Sequence, residues 1–367
     1  MENNKKIGLL TFHTPDNYGA VYQAFALQNY VNKELGKDVE IIDFCTKKHL
    51  KAYNIFKKQS NNPIKNFLKN CITATQYLAL KKKKRLFEQF RKSYLKLSAK
   101  RYNSEDEFLS HTEMYDTYLV GSDQVFNPHN EHYKAYYLAF EKRGKRKIAY
   151  APSFGISAFT DEITGKILPY LKDFDNLSCR EKQGAEYLSK IMNEEVPAVV
   201  DPVFLMSKEE WEKLSVTPQE KQKYIFVYDL CGGEELMSIA KSIAKERGLK
   251  VICATGRIRN NYSGVDVRFD IGPAELLGYI NKAEYVVTDS FHGTSLSLIM
   301  RKRLITYIAL PHAASRITSI MESLGTSEQI VTNIIDFDIS KITFKNYDEN
   351  LKILVKESKD FLKKSLT

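Results

Sequence analysis

The chain has 367 residues, 43% apolar, 12% aromatic and 27% charged, a balance that excludes a largely disordered or fibrous protein. At roughly 100–200 residues per domain, this length predicts two domains. No run approaches the roughly 18 apolar residues of a spanning helix, so we expect no membrane anchor and no signal peptide. The five cysteines are scattered, so we expect no disulfide framework and no zinc site. The expected location is therefore cytoplasmic.

Short β-rich runs alternate with helical patterns in the first half, which is typical of parallel sheets built from βαβ units. The apolar face from Val21 to Leu35 predicts a helix that ends at Gly36. The predicted strands are residues 7–12, 39–43, 117–120, 147–151, 177–179 and 198–200. Together they predict an N-terminal α/β domain over residues 1–205.

A strongly basic segment interrupts this domain at residues 47–101. It holds 17 Lys or Arg residues against one acid, Glu88, and therefore carries +16 of a chain whose net charge is +10. Apolar residues recur at helical spacing from Leu86 to Leu97, so we predict an insertion of basic amphipathic helices. Such helices bind anionic membrane surfaces, or they pack on their own domain with a solvated lysine face, and the sequence leaves both interpretations open. No nucleic-acid reading motif is present, so no nucleic-acid partner is expected.

The second half repeats the alternation and predicts a C-terminal α/β domain over residues 206–346. Strands are expected at residues 224–228, 251–254, 285–287 and 304–308, with a helix at 234–246. A last helix within residues 347–367 could return to the first domain. The predicted fold class is therefore α/β, with two doubly wound Rossmann-like domains facing each other across a cleft, as in GT-B proteins. Ligands of such sheets bind at the carboxyl ends of the strands.

Two polar turns follow predicted strands of the first domain. Asp16, Asn17 and Tyr18 lead into the first helix, where an Asp or Asn either caps the helix or contributes to a ligand site. After residue 120 come Asp123, Gln124 and Asn127, whose side chains suit hydrogen bonds to sugar hydroxyls, with Asp123 able to accept a proton. The alternative is that these side chains only bond their own turn.

Two further turns carry groups suited to an anion. Arg180 follows a predicted strand and offers a planar fork for phosphate or carboxylate, or else pairs with a neighbouring acid. In the second domain, Ser290, Gly293 and Thr294 surround the predicted start of a helix, and His292 lies at the same place, which predicts a phosphate site with a proton donor. The alternative is that His292 is structural. Arg316, after the next strand, would add a second positive charge, or else it faces solvent.

Several common signatures are absent from the sequence. There is no GxxxxGK[ST] loop, no GxGxxG fingerprint, no HExxH and no metal-ligand cluster. These absences argue against nucleotide hydrolysis, dinucleotide chemistry and zinc chemistry.

Several motifs, in order, resemble the polysaccharide pyruvyl transferase family. They run from KIGLLTFHTPDNYGAVYQAFALQ at Lys6 through YLVGSDQVFNP, LSCRE and VVDPVFL to VVTDSFHGTSLSLI and the SRI around Arg316. The resemblance implies a two-domain fold like that of glycosyltransferases. It also implies transfer of the enolpyruvyl unit of phosphoenolpyruvate to a hexose of a surface polysaccharide or its lipid-linked precursor, forming a cyclic pyruvate ketal.

The resemblance also implies roles for particular residues. His292 matches the family's histidine beside phosphoenolpyruvate and would act as general acid, with Arg180, Arg316 and the helix start at Gly293 and Thr294 holding the anion. Some members carry an arginine at the position of Ser290, and this chain departs from them there. No metal and no cofactor are implied, since phosphoenolpyruvate is a co-substrate. The acceptor-side residues would be Asp16, Asn17, Tyr18, Asp123, Gln124 and Asn127, with Asp123 as the base.

Two other functions share the predicted architecture. A nucleotide-sugar-dependent glycosyltransferase is one, although the pair of glutamates eight positions apart that many retaining enzymes carry is not found after Glu209. A non-catalytic protein that binds glycans or membrane surfaces is the other. If the acceptor of the pyruvyl transferase is lipid-linked, the protein would lie peripherally on the inner membrane face, and the basic segment would act there.

Overall fold

The computed structural model describes residues 6–56, 58, 60–156, 158–231, 233–257, 262–308, 311–332 and 338–367. Its strands are β1 Ile7–Leu10, β2 Val39–Phe44, β3 Leu97–Tyr102, β4 Thr117–Val120, β5 Arg146–Ala149, β6 Asn176–Leu177, β7 Tyr224–Asp229, β8 Lys250–Thr255, β9 Asp266–Arg268, β10 Tyr285–Thr288, β11 Arg303–Tyr307 and β12 Ile330–Val331.

The helices account for most of the remaining described chain. They are α1 Tyr18–Lys33, α2 Lys47–Ala52, α3 Pro63–Thr75, α4 Tyr77–Tyr94, α5 Glu105–Leu109, α6 Tyr133–Tyr136, α7 Asp161–Leu171, α8 Lys182–Met192, α9 Lys208–Leu214, α10 Glu234–Arg247, α11 Pro273–Lys282, α12 Phe291–Ile299, α13 Pro311–Leu324 and α14 Tyr347–Leu366.

The chain divides into two compact units. Unit 1 comprises Met1–Leu50, Lys92–Met206 and Asn346–Thr367, and unit 2 comprises Lys51–Arg91 and Ser207–Lys345. Most of the basic insertion, residues 51–91, thus groups with unit 2, whereas the sequence placed it in the first domain. Two contacts within unit 2 account for this: Lys82 pairs with Asp270 at 2.7 Å, and Leu86 packs against Gly272.

Unit 1 contains one parallel sheet with strand order β3-β2-β1-β4-β5-β6. Its central helix, α1, is buried along most of its length, which agrees with a sequence that is apolar on nearly every side. The C-terminal helix α14 also packs on this unit, where the Ser358 hydroxyl accepts a hydrogen bond from the Val200 amide at 3.0 Å.

Unit 2 repeats the same topology, with strand order β12-β11-β10-β7-β8-β9 and every pair parallel. In each sheet the order reverses next to the first strand of the unit, which is the arrangement of a doubly wound Rossmann sheet. The predicted α/β class with two Rossmann-like sheets is therefore confirmed.

Two local predictions were wrong. Leu97 was assigned to a helix, but α4 ends at Tyr94 and Leu97 begins β3, because the Gln28 side chain bonds the Lys96 amide (2.9 Å) and carbonyl (2.8 Å) and holds the chain at the sheet edge. Residues 198–200 were predicted as a strand, and in the described structure they form a single bridge between Ala198 and Cys179.

Candidate functional site

The reversal of strand order locates the ligand site expected in each sheet. In unit 1 the reversal lies between β1 and β4, and in unit 2 it lies between β7 and β10. Ligands of doubly wound sheets bind outside the carboxyl ends of the strands at this point. Asp123 follows β4, and Ser290 and His292, at the start of α12, follow β10. Three of the predicted site residues therefore lie at the expected edges.

In unit 2, the turn between β10 and α12 is held by its own side chains. Ser290 is the N-cap of α12, and its hydroxyl accepts a hydrogen bond from the Gly293 amide at 3.3 Å. Thr288 donates to the Tyr228 carbonyl at 2.8 Å and accepts from the Ser290 amide at 3.1 Å. A Cβ at Gly293 would lie 2.6 Å from the Thr288 hydroxyl, so the glycine is required for the helix to start this close to the sheet.

The hydroxyl groups that follow are used inside unit 2. The Thr294 hydroxyl bonds that of Thr306 at 3.0 Å, and the Ser295 and Ser297 hydroxyls donate to carbonyls one helical turn earlier, at 2.9 Å and 2.7 Å. All of these side chains are buried. These hydroxyls thus stabilise the fold, and what α12 offers an anion is its N-terminus, the positive end of the helix dipole.

His292 and Arg316 both belong to unit 2. His292 is the second residue of α12 and is half-buried, with its ring edge-on to Phe291 at 5.1 Å between centroids. Its Nε2 atom is shielded from solvent. Arg316 is half-buried on α13, a helix that packs on α12. A histidine at a helix N-terminus and an arginine on the adjacent helix are groups that suit a phosphorylated acid.

Asp289 is a buried acid that the sequence analysis did not single out. Its carboxylate accepts hydrogen bonds from the Leu230 and Cys231 amides, both at 2.8 Å, and so joins the turn after β7 to the turn after β10. The pKa of Asp289 is raised. Burial is the largest cause and the charge of Asp229 adds to it, and together they outweigh the two amide hydrogen bonds, which lower the pKa. Its position directly after a buried strand was the available signal.

In unit 1, Asp123 has a strained backbone. Its φ is 73° and its ψ is −175°, a region populated almost only by glycine. The conformation is held because the Asp123 carbonyl accepts from the Val125 and Ser153 amides at 2.7 Å and 2.8 Å, while its carboxylate accepts from the Gln124 amide at 2.9 Å. Non-glycine residues in this region cost about 1–3 kcal/mol and cluster at functional sites.

The other acceptor-side residues surround the ends of β1 and β4. Asn17 is exposed and caps α1 by accepting from the Ala20 amide at 3.2 Å, Asp16 is half-buried, and the ring of Tyr18 is buried and stacked on Tyr22. Gln124 lies against Gly155. Asn127 ends the short turn and accepts from the His129 amide at 2.9 Å. The cap and turn bonds weighed from the sequence are thus present at Asn17, Asp123 and Asn127.

Arg180 takes part in a buried ion pair. Its Nη1 lies 2.8 Å from Asp201 Oδ2, and the two side chains are 3% and 0% exposed. Asp201 also accepts from the Ser122 hydroxyl at 2.9 Å. Burial acts to lower the pKa of Arg180, but the carboxylates of Glu181 and Asp201 more than offset it, so its pKa is raised. Arg180 is therefore held inside unit 1 by its ion pair with Asp201, and its contact with a ligand stays a prediction.

A second charged cluster in unit 1 depends on β3. His13 is buried, with Nε2 3.2 Å from Asp43 Oδ1, and the other Asp43 oxygen accepts from Arg101 Nε at 2.7 Å. Burial acts to raise the pKa of Asp43, but the hydrogen bonds from His13 and Arg101 lower it further, and the net shift is downward. This cluster was not predicted from the sequence, because residues 97–101 belong to the insertion that was expected to be helical.

Comparison with solved structures shows the class of fold. A UDP-N-acetylglucosamine 2-epimerase matches with a TM-score of 0.59 at 10% identity, covering 99% of this chain and 95% of the other. A putative UDP-N-acetylglucosamine 2-epimerase from Listeria monocytogenes gives 0.55 at 10% identity, covering 98% and 91%. S. aureus MnaA, solved with UDP, gives 0.53 at 10% identity, covering 98% and 97%. At this identity the likeness is one of fold alone.

The polysaccharide pyruvyl transferase family model matches residues 17–309. This range contains both candidate turns, with Asp123 after β4 and His292 in α12. Because the match covers most of the chain, the protein belongs to the polysaccharide pyruvyl transferase family. Comparison with curated protein sequences gives no match. Within the described residues, every helix is too short or too polar to cross a bilayer.

Proposed function

We propose that this protein transfers a pyruvyl group from phosphoenolpyruvate to a hexose of a surface-polysaccharide precursor, releasing phosphate. The observation that carries the proposal is the turn after β10, where α12 begins and His292 occupies its first turn, inside the range matched by the family. The product is a cyclic pyruvate ketal. A lipid-linked oligosaccharide is the acceptor that we favour.

The chemistry needs one acid and one anion site. A proton adds to the methylene carbon of phosphoenolpyruvate, and a sugar hydroxyl attacks the resulting cationic C2, losing its own proton. The bond from C2 to the phosphate oxygen then breaks, and a neighbouring hydroxyl closes the ketal and loses its proton. One of the two hydroxyl protons replaces the proton added to carbon, and the other leaves with phosphate. No oxidant or reductant is required.

Unit 2 supplies the donor contacts in this proposal. His292 donates the proton, a role typically worth about 10²–10⁴ in rate. Arg316 and the N-terminus of α12 neutralise the phosphate and carboxylate of the donor. Ser290, Gly293 and Thr294 act by fixing the start of α12, as their hydrogen bonds and packing support. Ser290 is 3% exposed and caps the helix, so the negative charge of the donor is neutralised by Arg316 and the N-terminus of α12 and not at Ser290.

Unit 1 supplies the acceptor contacts. Asp123 is the proposed base, and the strained backbone that fixes its carboxylate supports this role, since strain of this kind is retained where geometry matters for function. Asp16, Asn17, Tyr18, Gln124 and Asn127 would contact the glycan. Arg180 is a second anion contact only if its ion pair with Asp201 can be shared with a ligand.

Thermal unfolding with candidate donors tests the proposal without knowledge of the acceptor. A ligand that binds only the native state at 100 times its Kd stabilises the protein by about 2.7 kcal/mol. At about 2–4 °C per kcal/mol for a unit of this size, phosphoenolpyruvate should raise Tm by about 5–10 °C. UDP-N-acetylglucosamine should leave Tm unchanged. A shift with the UDP-sugar alone would replace the pyruvyl transfer with a nucleotide-sugar reaction.

Variants connect this result to the site. Arg316→Gln should abolish the rise in Tm with phosphoenolpyruvate, because it removes a positive charge from the site that binds this donor. His292→Gln should keep most of the shift yet stop phosphate release in the presence of a glycan fraction from the producing cells. The matched control is Arg303→Gln. Arg303 is an arginine of unit 2 that begins β11 and lies beside Tyr285, whereas Arg316 lies on α13, the helix that follows β11. An unchanged shift in Arg316→Gln would remove that residue from the donor site.

A further inference from the structure

Helix α3 turns its apolar face to solvent. Ile64, Phe67, Leu68 and Ile72 recur at helical spacing and are 71%, 67%, 55% and 40% exposed. The buried residue of this helix is Thr73, which lies on the opposite side. A surface helix of a globular protein normally has the reverse orientation, with its apolar stripe on the core. Among the described residues, no segment covers the apolar face of α3, so this face is available to a binding partner.

The same helix carries positive charge at the edge of its apolar face. Lys65 and Lys69 lie about 100° and 140° around the helix from Ile64 by helix geometry. Residues 51–91 contain 11 Lys or Arg residues and one acid, Glu88. We call Ile64, Phe67, Leu68 and Ile72, together with Lys65 and Lys69, the α3 surface.

Exposed apolar side chains continue on both sides of α3 in the chain. Leu78, at the start of α4, is 79% exposed. The rings of Phe56 and Tyr77 stack at 5.8 Å between centroids, and they are 48% and 37% exposed. The basic run from Lys81 to Arg85 follows on α4. The apolar and basic features therefore belong to one stretch of the chain and not to isolated positions.

We propose that the α3 surface binds an anionic lipid bilayer, with α3 lying in the plane of the interface. Phe67 and Leu68 would enter the boundary between headgroups and acyl chains, and Lys65 and Lys69 would meet the lipid phosphates. Helices that bind in this way combine an apolar face with lysines on the polar side. The proposal rests on exposure and charge alone, so it stands whether or not phosphoenolpyruvate is the donor.

The charge of the segment favours this occupant over a second copy of the chain. A second copy of the chain, docked face to face, would bring two strongly basic segments together, and like charges oppose such a contact. An anionic bilayer matches both properties of the α3 surface, since it offers an apolar interior and a negative surface that contributes about 1 kcal/mol per basic residue.

Vesicle sedimentation of the full chain tests the proposal. The protein should bind vesicles of phosphatidylcholine with about 30% phosphatidylglycerol, and not phosphatidylcholine alone. Raising the salt from about 0.1 M to about 0.5 M should lower binding at least tenfold, because screening shortens the range of the lysine charges. Absence of binding to the anionic vesicles at the lower salt would overturn the proposal.

Matched variants separate the apolar and basic contributions. Phe67→Asp with Leu68→Asp should reduce vesicle binding by about 30-fold or more, because the bilayer would no longer bury these two apolar side chains. Lys65→Gln with Lys69→Gln should reduce it about 25-fold, at about fivefold per lysine. The control Ile353→Asp changes an isoleucine of α14 that is 49% exposed and should leave binding within about twofold. Equal losses in the control and the α3 variants would refute the assignment of the surface.

Fluorescence gives a second measurement that does not depend on affinity. The chain has one tryptophan, Trp211, and it is fully buried. Phe67→Trp should therefore add a signal that shifts to the blue with anionic vesicles and is quenched by lipids brominated along their chains. An unshifted Phe67→Trp signal on sedimented protein would show that another surface carries the binding. A dimer in solution that Phe67→Asp dissociates, without vesicle binding, would replace the bilayer by a second copy.

Discussion

Replacing Arg180 by methionine tests whether this residue stabilises unit 1 or holds the donor. The substitution keeps much of the aliphatic volume but leaves Asp201, whose side chain is fully buried, without its 2.8 Å cationic partner. Breaking a buried pair from one side typically costs about 3–5 kcal/mol. Asp201 keeps hydrogen bonds from the Ser122 hydroxyl (2.9 Å) and the Val203 amide (3.1 Å), which places the expected loss at the lower end, about 3 kcal/mol.

The assay is equilibrium unfolding in urea of the wild type, Arg180→Met, Asp201→Asn and the double variant. Asp201→Asn keeps an oxygen for the Val203 amide and removes the buried negative charge, and its NH2 group replaces Oδ2 and can donate to the Ser122 hydroxyl. The double variant should therefore recover about 2 kcal/mol of the loss, giving a clear coupling energy. A loss below about 1 kcal/mol in Arg180→Met, or strictly additive effects, would refute the reasoning from burial and charge.

The double variant also decides whether Arg180 contacts the donor. If Arg180 acts only through Asp201, phosphoenolpyruvate should raise the Tm of the double variant as much as that of the wild type. If the arginine also binds the donor, the shift should disappear although stability is restored. The two roles predict different outcomes in the same protein.

Three further perturbations follow from single contacts. Gly293→Ala should lower the free energy of unfolding by about 1–3 kcal/mol, since its Cβ would meet the Thr288 hydroxyl at 2.6 Å, and an unchanged urea midpoint would contradict this close packing. Asp123→Gly should be more stable than Asp123→Ala by about 1–2 kcal/mol, because glycine relieves the strain at φ 73°; the reverse order of Tm values would disprove strain. The folded-state pKa of Asp43 is lowered, so its stabilising effect is present above the unfolded pKa of about 3.9 and is lost as the pH falls through the folded value. Asp43→Asn should flatten the dependence of Tm on pH below about pH 4, and an unaltered slope would exclude Asp43 as its source.

Local patterning was enough to predict the fold class and several elements. β4 was placed at residues 117–120, as the structure has it, because its own residues form a continuous apolar run. A last helix was placed within residues 347–367, and α14 occupies Tyr347–Leu366, because a periodic apolar stripe specifies it. The sequence also put Asp123 and His292 after strands of parallel sheets, and in a doubly wound fold such a turn lies at the ligand-binding edge of its own sheet.

Contacts between distant residues decided the rest. The strand β3 is defined by its pairing with β2, and Gln28 bonds the backbone of Lys96 just before it. Without these contacts, the apolar spacing that continues from α4 to Leu97 predicts a longer helix. The hydroxyls after His292 bond each other and nearby carbonyls instead of facing a ligand, and Arg180 is held by Asp201, 21 residues away.

The orientation of α3 illustrates the same division. Its sequence specifies an amphipathic helix with lysines beside an apolar stripe, since spacing alone sets which residues share a face. Only the packed chain determines that the buried residue is Thr73 and that Phe67 is exposed. Periodicity fixes what a helix can present, whereas the direction it faces depends on contacts with residues far away in the sequence.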